Sequence, residues 1–494
     1  MAVNLTRNAE QVNFDTDASY GPMLAKLQAN ILWSHGRDHA RHLFIRFTGD
    51  RAAVRAWIRN KVAPDVTSAA QQRQQKLARD QANPEDGDFD GGLVTGFFLS
   101  ADGYTFLELD PAQFDSTGFL KGMKDRSNYR GPLGLRLTNH DPESTEWEPG
   151  YRGDIHALVT LADDKVGGNL SRLETKVELY KSQIDNGLGV VTQIEKGQNL
   201  KKPIPGHPGK SEPVEHFGYF DGISQPLFTK PDLIKYDQEQ ERVRLPDDWN
   251  PGAKLKLILA KDPFAAAEDS FGSFFVYRKL EQDYATFKQR VAALATAIPA
   301  TEELAGAYVV GRFKDGSPVT AAQTPSPGLV TANFFKYSDD EAGRKCPMQA
   351  HIRKSNPRGT SGVTLASERA RRIARRAIPY GNPHPDLECN PEHFQSQEGG
   401  PRGLLFMCFQ SNIEKQFEFI QRVWIDNKDF PRGTGGVDTG DDPLIGQNPG
   451  AAQRWPKRWG SLGAQTREFN FEAAVTLKGG EYFFAPSLPF LASL

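Results

Sequence analysis

Apolar and polar residues alternate with a period of two in several short runs of this chain, the pattern of half-buried strands, and longer segments with helical spacing lie between them. In the first half the strand-like runs are His42–Phe47 (HLFIRF), Leu93–Leu99, Ile155–Leu161 and the stretch GVVTQIEKG from Gly189. Helical spacing covers Arg51–Val62 and Asn169–Ile184. The second half restarts in the same manner. Ser273–Leu280 (SFFVYRKL) reads as a strand, Tyr284–Ile298 as a helix, Leu404–Phe409 (LLFMCF) as a strand and Glu481–Ala485 as a last strand. Within Ile413–Trp424 the residues Ile413, Phe417, Ile420 and Trp424 fall on one face of a predicted helix. Strands and helices mixed with long connections predict an α+β or α/β fold, and the coarse duplication predicts two similar sandwiches of sheet and helices. No short repeat of the solenoid or propeller kind is present.

The polar stretches punctuate this pattern. Lys230–Lys261 is rich in Pro, Asp and Lys and reads as a connector, which divides the chain into residues 1–229, a linker 230–261 and residues 262–494. Gln71–Gly92 reads as a solvated surface insertion, helical over QQRQQKLARDQ and then NPEDGDFDGG. Pro379–Pro401 and Asp438–Pro449 read as loops.

Composition narrows the function classes. The 494 residues, 38% hydrophobic and 25% charged, suit a globular protein of several folding units. Lys and Arg total 60 against 62 Asp and Glu, so the basic excess of a dedicated nucleic-acid binder is missing. No apolar run approaches the roughly 18 residues of a membrane span. The opening MAVNLTRNAEQVNFD has no apolar leader and no twin-arginine pair, so a cytoplasmic protein is expected. Cys346, Cys389 and Cys408 form neither CxxC nor CxxCH, which argues against a disulfide scaffold, a zinc knuckle and a covalently attached c-type haem.

Phosphate-loop, nucleophile-elbow and HExxH motifs are absent. His35, His39 and His42 in SHGRDHARH are spaced so that they could converge on a metal, but no carboxylate or thiolate set completes a site, and a hydrated loop leading into the His42 strand is the expectation. Two passages resist an ordinary packing account. In EHFGYFDGISQP, Glu215–Pro226, Gly218 and Gly222 bracket Tyr219, Phe220 and Asp221, so one carboxylate sits in an aromatic, glycine-hinged bend. Local evidence leaves Asp221 open between capping a helix near Ile223 and proton transfer, and one residue can do both. In CPMQAHIRKSNPR, Cys346–Arg358, His351 precedes Arg353, Lys354 and Arg358. An isolated histidine is more often a satisfied core residue, yet a neutral imidazole can ligate iron and nearby cations suit the propionates of a haem. RRIARRAIPYG, Arg371–Gly381, lies downstream. Such an arginine cluster is usually a solvated face, but one member turned inward beside an acid makes an electrophilic clamp.

Taken together these passages resemble the dye-decolourising peroxidases. GYFDG is similar to that family's GxxDG motif, AHIRKSNPR to its proximal-histidine segment and RRAIPYG to the segment of its distal arginine. GLLFMCFQSNIEKQFEFIQRVW, GDDPLIGQ and LQANILWSHGRDHARHLFIRF resemble further segments, in the expected order from about residue 27 to the C-terminus. The resemblance implies an α+β fold of two ferredoxin-like halves, each an antiparallel sheet with peripheral helices, and one haem b per chain in the C-terminal half. It implies His351 as axial ligand of the haem iron and Arg358 as partner of a propionate. Leu404 and Phe406 would wall the distal face, and Asp442 would bond the far nitrogen of His351. Asp221 would move the proton of hydrogen peroxide and Arg375 would stabilise the departing oxygen, with Arg376 the neighbouring alternative. Dyes, phenols and other one-electron donors would supply electrons, and Trp424 is either a relay for them or a core residue. No nucleic-acid or membrane partner is implied, and a homo-oligomer is compatible. Two rival readings are a haem carrier or dechelatase with incidental peroxidase activity, and a haem-free binding module.

Overall fold

The computed structural model describes residues 3–81, 90–128, 141–240, 248–330, 332–387, 389, 400–431, 439–447, 453–461 and 465–494. The strands that carry the fold are β1 (His39–Phe47), β2 (Val94–Leu99), β3 (Ala157–Asp163), β4 (Gly189–Gln198), β5 (Phe271–Gln282), β6 (Ile378–Tyr380), β7 (Gly403–Gln410) and β8 (Val475–Ala485). All their pairings are antiparallel. The first sheet runs β4–β1–β3–β2 and the second β8–β5–β7–β6. Counted within its own half, each order is fourth, first, third, second, so the same ferredoxin-like arrangement occurs twice. The restart in the hydrophobic pattern is this duplication.

The halves meet at two narrow seams. Tyr380 of β6 pairs with Gly197 of β4, and Phe484 of β8 pairs with Leu99 of β2, which closes the strands into a circuit. Side chains alternate across a strand, so β5 sends Tyr277 into the enclosed space, where it meets Phe44 of β1 at 4.8 Å. Lys279 points the same way and donates to Glu148 (2.7 Å) and Glu195 (2.9 Å). Glu195 also accepts from Tyr151 (3.0 Å), as a buried charge requires. The intervening Arg278, Leu280 and Gln282 face outward and line a cavity instead.

Helices cover the outer faces. In the first half α1 (Arg51–Trp57) starts at Asp50, whose carboxylate accepts from Ala53 N (2.8 Å). The buried stripe Leu173, Val177, Tyr180 and Ile184 of α2 (Ser171–Asp185) packs on β1, β3 and β4. Next comes α3 (Lys230–Glu239), and in the second half α4 (Tyr284–Ala297) and α5 (Glu302–Val310) share a core with Phe217 and Tyr219. Among the described residues no helix is long and apolar enough to cross a membrane.

Several expectations change. The stretch Lys230–Lys261 is not a bare connector, since α3 occupies its start. Thr229 accepts from Asp232 N and a proline lies in the first turn, but Leu233 is the single buried residue of the helix, so no apolar period announces it. No helix begins near Ile223, so Asp221 caps none. The helix expected over Ile413–Trp424 begins only at Phe417 and continues in a wider π form over Ile420–Ile425. Gln416 causes the delay. Its side-chain oxygen accepts from Ser411 N and Asn412 N, and its amide donates to Leu257 O and Arg372 O, which locks a turn in front of the helix. His39 lies buried within β1 rather than in a hydrated loop, and His42, in the strand expected for it, is buried too. His42 Nδ1 lies 3.0 Å from the Tyr277 hydroxyl, and burial pushes its imidazole down to about 3. Helix Ala69–Gln81 matches the polar stretch from Gln71, whereas residues 82–89 of that stretch, 390–399, Asp438 and 448–449 lie outside the described residues.

Candidate active site

A cavity of about 260 Å³ lies against the outward face of β5 and β7. Leu404 and Phe406, two apart on β7, both turn into it, while Leu405 and Met407 between and beyond them are buried on the other side. His351, Arg358, Asp221 and Arg375 also line it, so residues far apart in sequence converge on one space.

His351 is the first residue of the short helix α6 (His351–Ser355). Its Nδ1 lies 2.8 Å from Asp442 Oδ2. Asp442 is buried, and its other oxygen accepts from Leu444 N (2.8 Å) and Ile445 N (3.0 Å). The carboxylate therefore fixes the ring from behind, and with Nδ1 engaged the ring nitrogen left for the cavity is Nε2.

Asp221 stands in a bend whose backbone needs its glycines: Gly218 has φ +92° and Gly222 φ +86°. Oδ1 of Asp221 accepts from Gly222 N (2.7 Å) and from Arg375 (2.6 Å). Arg375 is placed by strand pairing with Cys408 of β7 and by Gln225, which accepts from its backbone N–H (3.0 Å). Arg376 points the opposite way. Its guanidinium donates to the carbonyls of Asn30 (2.7 Å), Ile31 (2.8 Å) and Arg375 (2.7 Å), a bracing role remote from the cavity.

The remaining wall is cationic. Arg358 is buried and donates to the carbonyls of Asn333 (2.9 Å) and Phe335 (2.8 Å), while Arg312 donates to those of Gly316 and Ala332 (both 2.9 Å). Both also donate to Asn333 Oδ1, so these two buried cations bond neutral oxygens. Burial pushes Arg312 down to about 9, with Arg358 adding repulsion, and burial does the same to Arg372 beside Trp249. The acids on the wall are Asp221 and Glu215, the latter pushed up to about 7 by burial. Uncompensated guanidiniums over an apolar floor suit a flat ligand with carboxylates at one edge.

Trp424 is a core residue, 4% exposed, stacked on Phe430 with ring centroids 5.3 Å apart. Sequence reasoning missed Glu215, Arg312, Arg372 and Trp249. The first had a usable signal, a second acid in the same aromatic bend as Asp221. Trp249 came from the stretch read as a connector and carried none.

Known proteins share this architecture. The family described as "Dyp-type peroxidase, C-terminal" matches residues 306–431. A multifunctional dye peroxidase of Amycolatopsis sp. is 37% identical over 486 residues, covering 96% of each chain. A dye-decolorizing peroxidase of Mycetinis scorodonius is 33% identical over 75% of this chain and 72% of its own. The crystal structure of a DyP-type peroxidase from Anabaena sp. superposes with a TM-score of 0.85 at 38% identity, covering 99% of this chain and 98% of that one. With similarity of this degree along nearly the whole length, and a duplicated ferredoxin-like fold, the chain belongs to the dye-decolourising peroxidases, a haem-enzyme family of oxidoreductases that act on peroxide.

Proposed function

We propose that the cavity would hold one haem b per chain, with His351 Nε2 binding its iron, and that Asp221 and Arg375 would act on hydrogen peroxide while dyes, phenols or other one-electron donors are oxidised. The observation that carries the reading is a single cavity presenting both an Asp442-backed imidazole and an Asp221–Arg375 pair. The residues fit the cofactor: among the described residues Arg358 and Arg312 have no acidic hydrogen-bond partner, and they match propionates, while Leu404 and Phe406 give an apolar wall. No CxxCH occurs, so the thioether attachment of a c-type haem is not available. When bound, the haem supplies the redox centre at which the O–O bond breaks and from which two oxidising equivalents are passed on one at a time.

The chain's own contribution follows from the pair's geometry. Oδ1 of Asp221 is engaged by Gly222 N and Arg375, which leaves Oδ2 to take a proton from one oxygen of hydrogen peroxide. Asp221 returns that proton to the other peroxide oxygen, which departs as water. Arg375 spends one N–H on Asp221, and its remaining N–H groups stabilise the charge on the departing oxygen. A haem carrier has no use for this pair.

Asp221→Asn tests the reading because it keeps shape and removes the base. The variant binds haem normally, and single-turnover reaction with peroxide slows by about two to four decades. A rate within about threefold of wild type, far short of general-base magnitudes, removes Asp221 from the mechanism.

A further inference from the structure

Glu215 lies in the same bend as Asp221 and turns toward the cavity. Its carboxylate accepts from the amides of Phe217 and Tyr219, both at 2.9 Å, and from the side-chain amide of Gln282 on β5. The main chain closes the same turn, with Gly218 N donating to Glu215 O (2.9 Å) and Glu215 N to Tyr219 O (3.2 Å). Outside the bend Phe217 stacks on Phe287 of α4, centroids 4.1 Å apart at 13°. One side chain thus satisfies two amides of the bend and ties it to the sheet that forms the cavity floor. Asp221 emerges just beyond the last tied amide.

We propose that Glu215 is a positioning residue for Asp221: its carboxylate staples the bend that aims Asp221 at Arg375, and its gain or loss of a proton resets the charge beside which Asp221 works. The proposal rests on reading Asp221 as the proton acceptor.

Gln282 supports the second clause. Its Nε2 donates to Glu215, while its buried Oε1 has no hydrogen-bond partner among the described residues. A primary amide can turn over. Ionised Glu215 uses the N–H, and protonated Glu215 presents an O–H for which the turned Oε1 is the acceptor, so this partner serves both charge states. Asp221 and Tyr219 face Glu215 from its own bend, and Lys314 from the loop after α5, where burial lowers the ammonium. Burial raises the Glu215 carboxyl to about 7, with the bonded amides opposing and Asp221 adding to the rise. On the acid side of that value Glu215 is neutral. On the alkaline side it is charged and strengthens its neighbour as a proton acceptor.

The test uses the haem-loaded protein and the variants Glu215→Gln, Glu215→Ala and Asp221→Asn. The single-turnover rate with peroxide and the carboxyl infrared difference spectrum are followed across the neutral range. Wild type shows a step in rate near pH 7 and one carboxyl losing its proton there. Glu215→Gln has one oxygen and therefore keeps one of the two amide ties, while its NH2 finds the turned Oε1 of Gln282, so on the acid side its rate lies between those of wild type and Glu215→Ala, while step and infrared band both vanish. Glu215→Ala leaves two amides untied and slows the reaction about a hundredfold at every pH, the cost of roughly 1 Å of misplacement. A step retained in Glu215→Gln overturns the proposal, and so does a wild-type rate in Glu215→Ala. Should the Ala variant fail to fold, the Gln variant decides alone. In Asp221→Asn the Glu215 band moves to lower pH because the neighbouring charge is gone, and an unmoved band overturns the coupling. An unchanged rate in that variant removes the base instead, which separates failure of the proposed function from failure of this inference.

Discussion

The substitution Asp442→Asn tests how the imidazole is held. An aspartate carboxylate offers only acceptors, so the proton in the 2.8 Å contact with His351 sits on Nδ1 and the lone pair sits on Nε2. The amide that replaces it offers one oxygen and one NH2. The buried amides of Leu444 and Ile445, which donate to Oδ1 at 2.8 and 3.0 Å, claim that oxygen. The NH2 then faces Nδ1. For Nδ1 to accept from it, the ring proton must move to Nε2, the atom proposed to bind iron. Keeping the ligating tautomer sets one N–H against another, and a buried donor left unsatisfied costs about 1–3 kcal/mol. That range corresponds to a factor of about 5–150 in haem affinity, in line with the tenfold to hundredfold typical of groups that orient a metal-binding histidine. Haem is titrated into the apoprotein in competition with an apoglobin and followed at the Soret band, and the iron–imidazole stretch is read by resonance Raman. Weaker binding and a softened stretch are expected. Affinity within about twofold of wild type, below the lower bound of that penalty, together with an unchanged stretch would refute the reasoning.

Three further outcomes follow from the same geometry. His351→Ala loses most bound haem or holds it without a strong axial ligand, and a wild-type ferric spectrum at full haem content contradicts the assignment. Arg375→Leu slows the peroxide reaction by about two to four decades, whereas Arg376→Leu, which loses three bonds to carbonyls, lowers the unfolding midpoint with little change in rate; reversed effects in stopped-flow and thermal melts would exchange their roles. Glu481 is buried and its carboxyl is raised from 4.5 to about 7 by desolvation, so between these values the unfolded chain ionises while the fold keeps its proton. Stability therefore falls as pH rises through that window, by an amount of order 3 kcal/mol for this group, and denaturant titrations of Glu481→Gln across it should show that part of the slope gone.

The strands were legible because each has one face in the enclosed space or on the core, which imprints an alternation that survives without knowledge of the partners. The restart at Ser273 foretold two similar halves, but not the closed circuit, since the seams are single residue pairs with no local signature. Helix α3 escaped notice because one buried leucine leaves no period, and the delayed helix at Phe417 because Gln416 acts through bonds to distant carbonyls. Asp221, His351, Arg358, Arg375, Leu404 and Phe406 meet at one cavity; Asp221 and His351 stood out as odd residue types among packing residues, whereas the other four were marked by the resemblance. Arg312 and Trp249 stand in ordinary loops, and only the folded chain shows what they face.

The buried Lys279 has a consequence for recognition between the halves. Two sheets with the same strand order are natural candidates to pair with copies of themselves, which would give a second half docked on the second half of another molecule. Lys279 finds its counter-charges in Glu148 and Glu195, which belong to the first half. A second copy of its own sheet offers neither carboxylate, and an unpaired ammonium enclosed there costs several kcal/mol. The charge thus works as a label that distinguishes sibling from self, and the duplicated architecture keeps its two faces from being interchangeable.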